Sequence, residues 1–367
     1  MKVLVLNSIL YTPNGYVHKV KSIKDTMIYN MCLGFKTNGH SVTLAAAQEY
    51  EPTEDKHYDF EILFFKSSFK FIFKPTVLPF SPGLFIYLQR NHKSYDMILS
   101  SEVFSFSSLF ASIICPTKTV IWHELALHPS LLFKIPSKIW YNLICRFFLR
   151  KTFVISRSIS ARYFISKYCK NVSPVCVEHG INLSKFQFSK EKGDYFTYVG
   201  QLISRKNVEY IIETFAQFTK TKCVNCKLLI CGDGPLREML REIAEMKGIK
   251  EKVVFMGRQN HLELNDTIKR SKGCLISTKQ DNNMVSIPES IVSGTPILSN
   301  SVPTNSYLIT ENGLGLVKDG WGVDELEMLM NNNDEFVDKC IAYRENLSIE
   351  NSARLLTDIY LNWRNIQ

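Results

Sequence analysis

The chain has 367 residues, 45% of them hydrophobic and 12% aromatic, which exceeds one ordinary core and excludes a disordered protein. Its net charge of +9 is uneven, because residues 1–186 hold 22 basic and 11 acidic side chains. No apolar run approaches the ~20 residues that span a bilayer, and the first residues resemble a buried strand rather than a signal peptide. We therefore expect two cytoplasmic domains, the first with an anionic partner.

The first half begins with a pattern typical of a βαβ unit. A strand is predicted at 2–6, a loop with Gly15 follows, a helix spans 20–36, and a second strand starts at Ser41. On one interpretation Gly15 is an ordinary turn glycine, and on the other it belongs to a ligand-binding loop.

Two further predicted strands, 95–100 and 119–122, end in polar residues. Ligands bind beyond the carboxyl ends of parallel strands, so polar residues at these ends are candidate site residues. His123 has this position and is interpreted as functional, although an isolated histidine is more often structural. The first domain is bounded at 1–186, with a polar linker at 187–194.

Two stretches of the first half, 62–90 and 131–153, mix aromatic and basic residues. Such mixtures are typical of surfaces that lie on a membrane, and they also suit nucleic acid. The ordinary alternative is that the aromatic residues are core and the charges form a solvated face. Because both stretches occur in the basic half, we expect an anionic membrane surface as a partner, and no nucleic acid.

Ten cysteines are scattered without the spacing of a disulfide framework. Cys223 and Cys226 are close together, but no second Cys or His pair is near them in the sequence, which argues against a zinc site. We expect most cysteines to be reduced core residues, and we expect no metal and no cofactor.

The second domain is bounded at 187–348 and begins with a strand that precedes Gln201, Arg205 and Lys206. Basic residues at a helix start oppose the helix dipole, so a phosphate-binding role is favoured over that of two exposed basic residues without a ligand. Further strands are predicted at 227–231 and 253–257. The chain ends in helical sequence.

Residues 277–300 are predicted to form a polar loop, a short helix and a strand. Ser286 and Glu289 have the spacing of a capping box, and Gly294 suits the end of the helix. Asp281 and Glu289 bracket a helix start that attracts a diphosphate, where two carboxylates can hold sugar hydroxyls. The alternative is that Glu289 only caps the helix and Asp281 is solvated.

This stretch resembles the E-x7-E signature of retaining glycosyltransferases of family 4. The resemblance is carried by Asp281, seven residues, Glu289 and the following Ser-Gly-Thr-Pro, and it extends to the Val-Gly-Gln-Leu segment before Lys206. It implies an α/β fold, GT-B, with two Rossmann-like domains facing a central cleft. It also implies that Glu289 holds the donor ribose, Asp281 the donor hexose, and Lys206 with Arg205 the donor diphosphate.

The family pattern implies roles for further residues, and this sequence departs from the pattern at Asp281 and Gln201. Besides Arg205, Lys206 and Glu289, the implied donor contacts are Gly15, Gln201, Arg258, Asn283, Met284 and Val285, and the implied catalytic residues are His123 and Asp281. Residues 349–367 are expected to cross back to the first domain, which binds the acceptor. The family usually has Glu at the position of Asp281 and Arg at the position of Gln201.

The sequence therefore predicts a retaining, metal-independent hexosyltransferase of bacterial surface-polysaccharide synthesis. Its donor is expected to be a nucleotide-sugar, with a UDP-sugar favoured over a GDP-sugar. Its acceptor is expected to be a glycan or a polyprenyl-diphosphate-linked sugar at the inner face of the membrane. Two alternatives remain: a nucleotide-sugar epimerase of GT-B fold, and a non-catalytic binding protein on a degenerate GT-B fold.

Overall fold

The backbone forms two units, each built on a parallel β-sheet. The computed structural model describes residues 1–11, 17, 19–54, 57–128, 134–281 and 283–366. Unit 1 comprises Met1–Gly180 and Ile349–Gln367, and unit 2 comprises Ile181–Ser348. The boundary lies after Gly180 rather than after residue 186, because Ile181 pairs with Ser348 and packs in a core of unit 2. The expected linker, 187–194, therefore lies within unit 2.

The sheet of unit 1 contains six parallel strands in the order β3-β2-β1-β4-β5-β6. Most of their residues are buried, as expected for a parallel sheet covered by helices on both faces. The strands are β1 (Lys2–Leu6), β2 (Ser41–Ala47), β3 (Glu61–Phe65), β4 (Met97–Ser101), β5 (Thr119–His123) and β6 (Phe153–Ser156).

The helices of unit 1 include one from the end of the chain. They are α1 (Met27–Thr37), α2 (Pro82–Asn91), α3 (Phe106–Ile114), α4 (Ile135–Ile139), α5 (Cys145–Phe148), α6 (Ile159–Ile165) and the C-terminal helix (Ile349–Ile366). The first helix begins at Met27 rather than near Val20, because the Thr26 side chain accepts a hydrogen bond from the Tyr29 amide and caps it. The C-terminal helix packs on α1 so closely that a Cβ at Gly34 would lie 2.3 Å from the Ile349 carbonyl oxygen.

Unit 2 repeats this architecture with the strand order β12-β11-β10-β7-β8-β9. Its strands are β7 (Tyr195–Val199), β8 (Lys227–Cys231), β9 (Val253–Gly257), β10 (Cys274–Leu275), β11 (Ile297–Ser299) and β12 (Gly315–Val317). Its helices are α7 (Val208–Thr221), α8 (Arg237–Met246), α9 (His261–Lys269), α10 (Ser286–Val292), α11 (Tyr307–Asn312), α12 (Val323–Asn331) and α13 (Asn333–Tyr343).

The structure bears on the cysteines and on membrane-spanning helices. All ten cysteines are free, and eight of them are buried, which confirms that most are core residues. In the described part of the chain, no helix is long and apolar enough to cross a membrane.

Candidate functional site

The predicted residues of unit 2 follow three strands at one edge of its sheet. Gln201, Arg205 and Lys206 follow β7, Arg258 follows β9, and Asp281 lies beyond β10. Because β7 pairs in parallel with both β8 and β10, their carboxyl ends lie at the same edge. This is the edge where parallel α/β sheets bind ligands.

Three of these residues form one charged cluster. Nη1 of Arg205 lies 3.1 Å from Oδ2 of Asp281, and Nζ of Lys206 donates to the same carboxylate oxygen. Lys206 is buried and Asp281 is largely shielded, whereas Arg205 is exposed. The structure thus brings the predicted phosphate-binding cations together with the predicted sugar-binding acid.

Hydrogen bonds fasten the two loops that carry this cluster. The Arg205 carbonyl accepts the Lys279 amide at 2.7 Å and the Thr278 hydroxyl at 2.9 Å. The Asn207 side-chain amide donates to the Ser277 hydroxyl at 3.2 Å. The relative position of the cations and the acid is therefore fixed by backbone and side-chain contacts outside the ion pair.

Glu289 lies inside α10 and is buried. Its burial raises the pKa of the carboxyl to about 7, from an ordinary value of 4.5. A group with a pKa near neutrality changes its charge readily when a ligand donates hydrogen bonds to it. Burying a carboxyl group here destabilises the fold, which favours a binding role over a purely structural one.

The capping box predicted for α10 is absent. Val285 precedes the helix with helical backbone angles, so Ser286 is the first helical residue rather than the cap. The Ser286 hydroxyl is buried and has no hydrogen-bond partner among the residues that the structure describes. Gly294 does end the helix with a positive φ of 71°, as predicted.

The loop before α10 is already engaged by its neighbours. The Met284 amide donates to Oδ1 of Asn305 at 3.0 Å, and Thr304 donates to Oδ1 of Asn283 at 2.6 Å. Met284 is buried and Val285 exposed. The backbone amide of Met284, one of the implied donor contacts, is therefore already hydrogen-bonded within the protein.

The remaining donor-binding predictions have different outcomes. Gln201 and Arg258 are exposed at the carboxyl ends of β7 and β9. Gly15 lies outside the described residues. A Cβ at Gly232 would lie 1.9 Å from the carbonyl oxygen of Gly200, so the first glycine after β8 permits a close backbone approach beside Gln201.

Unit 1 contains a cavity of about 420 Å³ at the carboxyl ends of β1, β4, β5 and β6. One part of its wall is apolar, with Leu10, Phe104 and Leu125 among the contributing residues. The polar part contains Glu102, Glu124 and Arg157. An apolar wall facing a few convergent polar groups is typical of small-molecule sites.

Two carboxylates of this cavity have buried basic neighbours. Oε2 of Glu102 lies 3.0 Å from Nδ1 of His123, and Oε2 of Glu124 accepts Nη1 of Arg157 at 2.8 Å. Nε2 of His179 lies 3.7 Å from Oε1 of Glu124, too far for a strong hydrogen bond. Arg157 is therefore the closer partner of Glu124. The Arg157 guanidinium also stacks on Trp122, 3.8 Å from the ring centroid.

These neighbours keep both acids ionised. Burial raises the pKa of Glu102, but the opposing effects of His123 and Arg157 are larger and bring it below its ordinary value. Burial likewise raises the pKa of Glu124, yet His179 and Arg157 lower it to about 2. The cavity therefore presents two carboxylates at neutral pH, although it lies in the basic half of the chain.

His123 itself does not border the cavity. Its side chain is fully buried, between Glu102 and the ring of Phe164. Glu102 lines the cavity and adopts a left-handed backbone conformation, with φ of 65°. Such strain in a non-glycine residue is concentrated at functional sites. The structure thus places the acid, rather than the predicted histidine, at the surface of the cavity.

Sequence reasoning noted polar residues at two of these strand ends but named only His123 as a site residue, and so missed Glu102, Glu124 and Arg157. Each lies at or just beyond the carboxyl end of a strand, which is the same signal that selected His123. Applying that rule to every strand of the first half would have found all three. Among the described residues, no group of three or more His, Cys, Asp or Glu side chains is arranged to hold a metal ion.

Comparisons with known proteins agree with this geometry. Residues 181–341 match the family model of glycosyl transferases group 1. The matched segment lies within unit 2. It contains the Arg205–Lys206–Asp281 cluster and Glu289.

Curated relatives match parts of the chain. An uncharacterized glycosyltransferase of Methanocaldococcus jannaschii is 27% identical over 205 residues, or 50% of this chain and 50% of that protein. The alpha-monoglucosyldiacylglycerol synthase of Streptococcus pneumoniae is 24% identical over 178 residues, or 44% and 40%. The chain thus spans half or less of the length of these relatives.

Solved structures match both units of the protein in fold. The lipopolysaccharide outer core galactosyltransferase WaaB has a TM-score of 0.65 at 15% identity and covers 99% of both chains. Anabaena Alr3699/HepE in complex with UDP has a TM-score of 0.64 at 12% identity and covers 98% of this chain and 99% of its own. The predicted α/β fold of GT-B type, with two Rossmann-like units, is confirmed.

Proposed function

We propose that the protein is a retaining glycosyltransferase that takes a hexose from a nucleotide-sugar bound by unit 2. The observation that carries this proposal is the juxtaposition of Arg205, Lys206 and Asp281 at the sheet edge. Two cations held beside a carboxylate suit a diphosphate and the sugar attached to it. The UDP in the HepE structure supports a UDP-sugar as the donor.

In this proposal each group has a distinct task. Lys206 and Arg205 bind the diphosphate and offset the charge that develops on it as it leaves, which requires no metal. Asp281 holds hexose hydroxyls, and Glu289 holds the ribose, where hydrogen bonds from two hydroxyls favour its ionised form. Gln201 and Arg258 are proposed to contact the diphosphate and the nucleobase respectively.

The cavity of unit 1 is proposed as the acceptor site. Ionised Glu102 and Glu124 can accept hydrogen bonds from sugar hydroxyls, while Phe104 and Leu125 offer apolar contact to a sugar face. His123 is then a positioning residue that holds Glu102 in its strained conformation. A glycan or a lipid-linked sugar of a surface polysaccharide provides such hydroxyls.

A lipid-linked acceptor lies in a membrane. We therefore propose that unit 1 rests on the inner, cytoplasmic side of an anionic membrane. Ile135, Ile139, Leu143 and Phe147, here termed the apolar ridge, are each at least half exposed. They follow one another every four residues along a continuous helical segment. A four-residue spacing drifts around an α-helix, but the wider π-helical turn at Trp140–Ile144 opposes that drift.

The ridge has basic and aromatic neighbours. Lys134, Lys138 and Arg146 are exposed on the same segment. The rings of Phe73 and Trp140 both pack on Phe106, and the chain around Phe73 also carries the exposed side chains of Phe69, Phe71 and Ile72. Apolar side chains bordered by cations match the chemistry of an anionic lipid surface. The diacylglycerol named for the Streptococcus pneumoniae relative supports a lipid environment.

The donor proposal is tested by a thermal-shift screen with UDP-, GDP- and ADP-sugars. A nucleotide-sugar that raises the unfolding temperature of the wild type should raise it less in Lys206→Ala. The matched control is Lys272→Ala, since Lys272 pairs with Asp194 at the opposite end of the strands. If no nucleotide-sugar shifts the wild type, the nucleotide-dependent function is contradicted.

The membrane proposal is tested by co-sedimentation with phosphatidylcholine vesicles, with and without phosphatidylglycerol. Each cation near the surface contributes ~1 kcal/mol. Replacing Lys134, Lys138, Arg146 and Arg150 by Gln should therefore release the protein from anionic vesicles, as should replacing the apolar ridge by Ser. Met246→Gln with Leu262→Gln removes comparably exposed apolar side chains from unit 2 and should change nothing. Equal wild-type binding to both vesicles would contradict an anionic surface.

A further inference from the structure

The ion pairs of Asp281 have a consequence for how a donor binds. Both Arg205 and Lys206 direct their charge at one oxygen, Oδ2 of Asp281. Lys206 is about nine-tenths buried, and its ammonium group contacts this carboxylate. The cations proposed to bind the donor diphosphate are thus already paired inside the protein.

The pairing is built into the fold rather than made by two mobile side chains. The Arg205 carbonyl is tied to the loop before Asp281 through Thr278 and Lys279. Arg205 also donates from Nη1 to the Gln280 carbonyl at 3.1 Å, next to the acid. These contacts keep the carboxylate within reach of both cations even when a ligand competes for them.

We propose that Asp281 is an internal competitor of the diphosphate, and that the donor binds by displacing it from Lys206 and Arg205. This inference rests on the proposed nucleotide-sugar function. A carboxylate and a diphosphate that need the same cations reduce one another's affinity, and the reduction is reciprocal. Free energy is therefore spent on releasing Asp281 whenever a nucleoside diphosphate binds.

The displaced carboxylate gives the site a means of discrimination. A largely shielded carboxylate without partners is unfavourable, so Asp281 must find new hydrogen-bond donors. The hydroxyls of a donor hexose provide them, whereas a nucleoside diphosphate without a sugar does not. The site consequently favours the intact nucleotide-sugar over the nucleoside diphosphate product. After transfer, Asp281 returns to Lys206 and Arg205 and promotes release of the product.

The test is isothermal titration of the wild type and Asp281→Asn with UDP, GDP, ADP and the matching nucleotide-sugars. The nucleoside diphosphate should bind Asp281→Asn at least about fivefold more tightly, since couplings between linked sites are typically that large or larger. The nucleotide-sugar should gain less, because it loses a partner for its hydroxyls. Asp194→Asn, which breaks the Asp194–Lys272 pair, is the matched control and should bind as the wild type does.

A second measurement separates competition for the cations from simple repulsion between Asp281 and phosphate. In an Arg205→Gln background the internal pair is weaker, so Asp281→Asn should gain less affinity than it does in the wild type. Repulsion alone predicts the same gain in both backgrounds. Circular dichroism melting should show that each variant is folded.

The outcomes distinguish the two proposals. If neither protein binds any nucleotide, both the nucleotide-dependent function and the internal competition are contradicted. If the wild type binds a nucleoside diphosphate and Asp281→Asn binds it equally or less tightly, only the internal competition is contradicted. An equal gain with and without Arg205 also contradicts it.

Discussion

The two units each place an acid beside a base at the carboxyl edge of a parallel sheet, but the partners differ. In unit 2, Asp281 pairs with two cationic side chains, those of Lys206 and Arg205. In unit 1, Glu102 faces the buried imidazole of His123. The first arrangement holds positive charge ready for an anion, whereas the second fixes an acid for neutral hydroxyls. The chemistry of a site thus follows from the partner of its acid.

The largest effect is expected from breaking the unit 2 side of this comparison with Lys206→Ala. Loss of a buried charge-assisted contact costs about 3 kcal/mol, or roughly a hundredfold in affinity for a nucleoside diphosphate. Titration calorimetry should show this loss, while the matching nucleoside binds as before. An equal loss for the nucleoside would mean that the unit is damaged rather than deprived of a phosphate contact.

Glu289→Gln should lower donor affinity or rate by roughly tenfold or more, because a charge-assisted hydrogen bond to ribose is weakened. Steady-state transfer kinetics provide the measurement. Activity equal to that of the wild type would leave Glu289 without a role in donor binding.

The same substitution should stabilise the fold at high pH. The folded pKa of Glu289 is about 7, above its ordinary 4.5, so the folded state loses stability as the pH rises between these values. Glu289→Gln removes that loss and should be more stable by about 3 kcal/mol above pH 7, with little difference at pH 4.5. Urea unfolding across this pH range measures the difference. A constant difference at all pH values would contradict the raised pKa.

A smaller effect is expected from Glu102→Gln in unit 1. The neutral amide keeps the shape but accepts hydrogen bonds more weakly, so the KM for the acceptor should rise by roughly fivefold to tenfold while donor affinity is unchanged. Glu54→Gln, at an exposed ion pair of the same unit, serves as the control. A loss of donor affinity instead would contradict the division of tasks between the units.

Much of the fold could be predicted from the sequence, because the pattern of apolar residues indicates the strands. Strands such as β1 and β9 are short apolar runs that end at polar or glycine residues, and both were predicted with their observed bounds. Helix starts were less accessible, because they depend on backbone angles. Thr26 delays α1, and the helical conformation of Val285 removes Ser286 from the cap position.

The candidate site was likewise only partly predictable from the sequence. Asp281, Lys206 and Glu289 could be predicted as site residues because their spacing resembles the family 4 pattern. No spacing reveals that Arg205 and Lys206 would pair with Asp281, since the pair joins loops more than seventy positions apart in the chain. Burial of His123 behind Glu102 was equally hidden, because it depends on packing against Phe164.

The most direct test of the central claim is transfer of a labelled hexose from the nucleotide-sugar found in the thermal-shift screen. The account predicts that the label moves to a glycan or lipid-linked acceptor, that NMR shows the same anomeric configuration in donor and product, and that Lys206→Ala nearly abolishes transfer. A label that stays on the nucleotide as an epimerised sugar would contradict the account and indicate an epimerase. An inverted product would contradict the retaining mechanism.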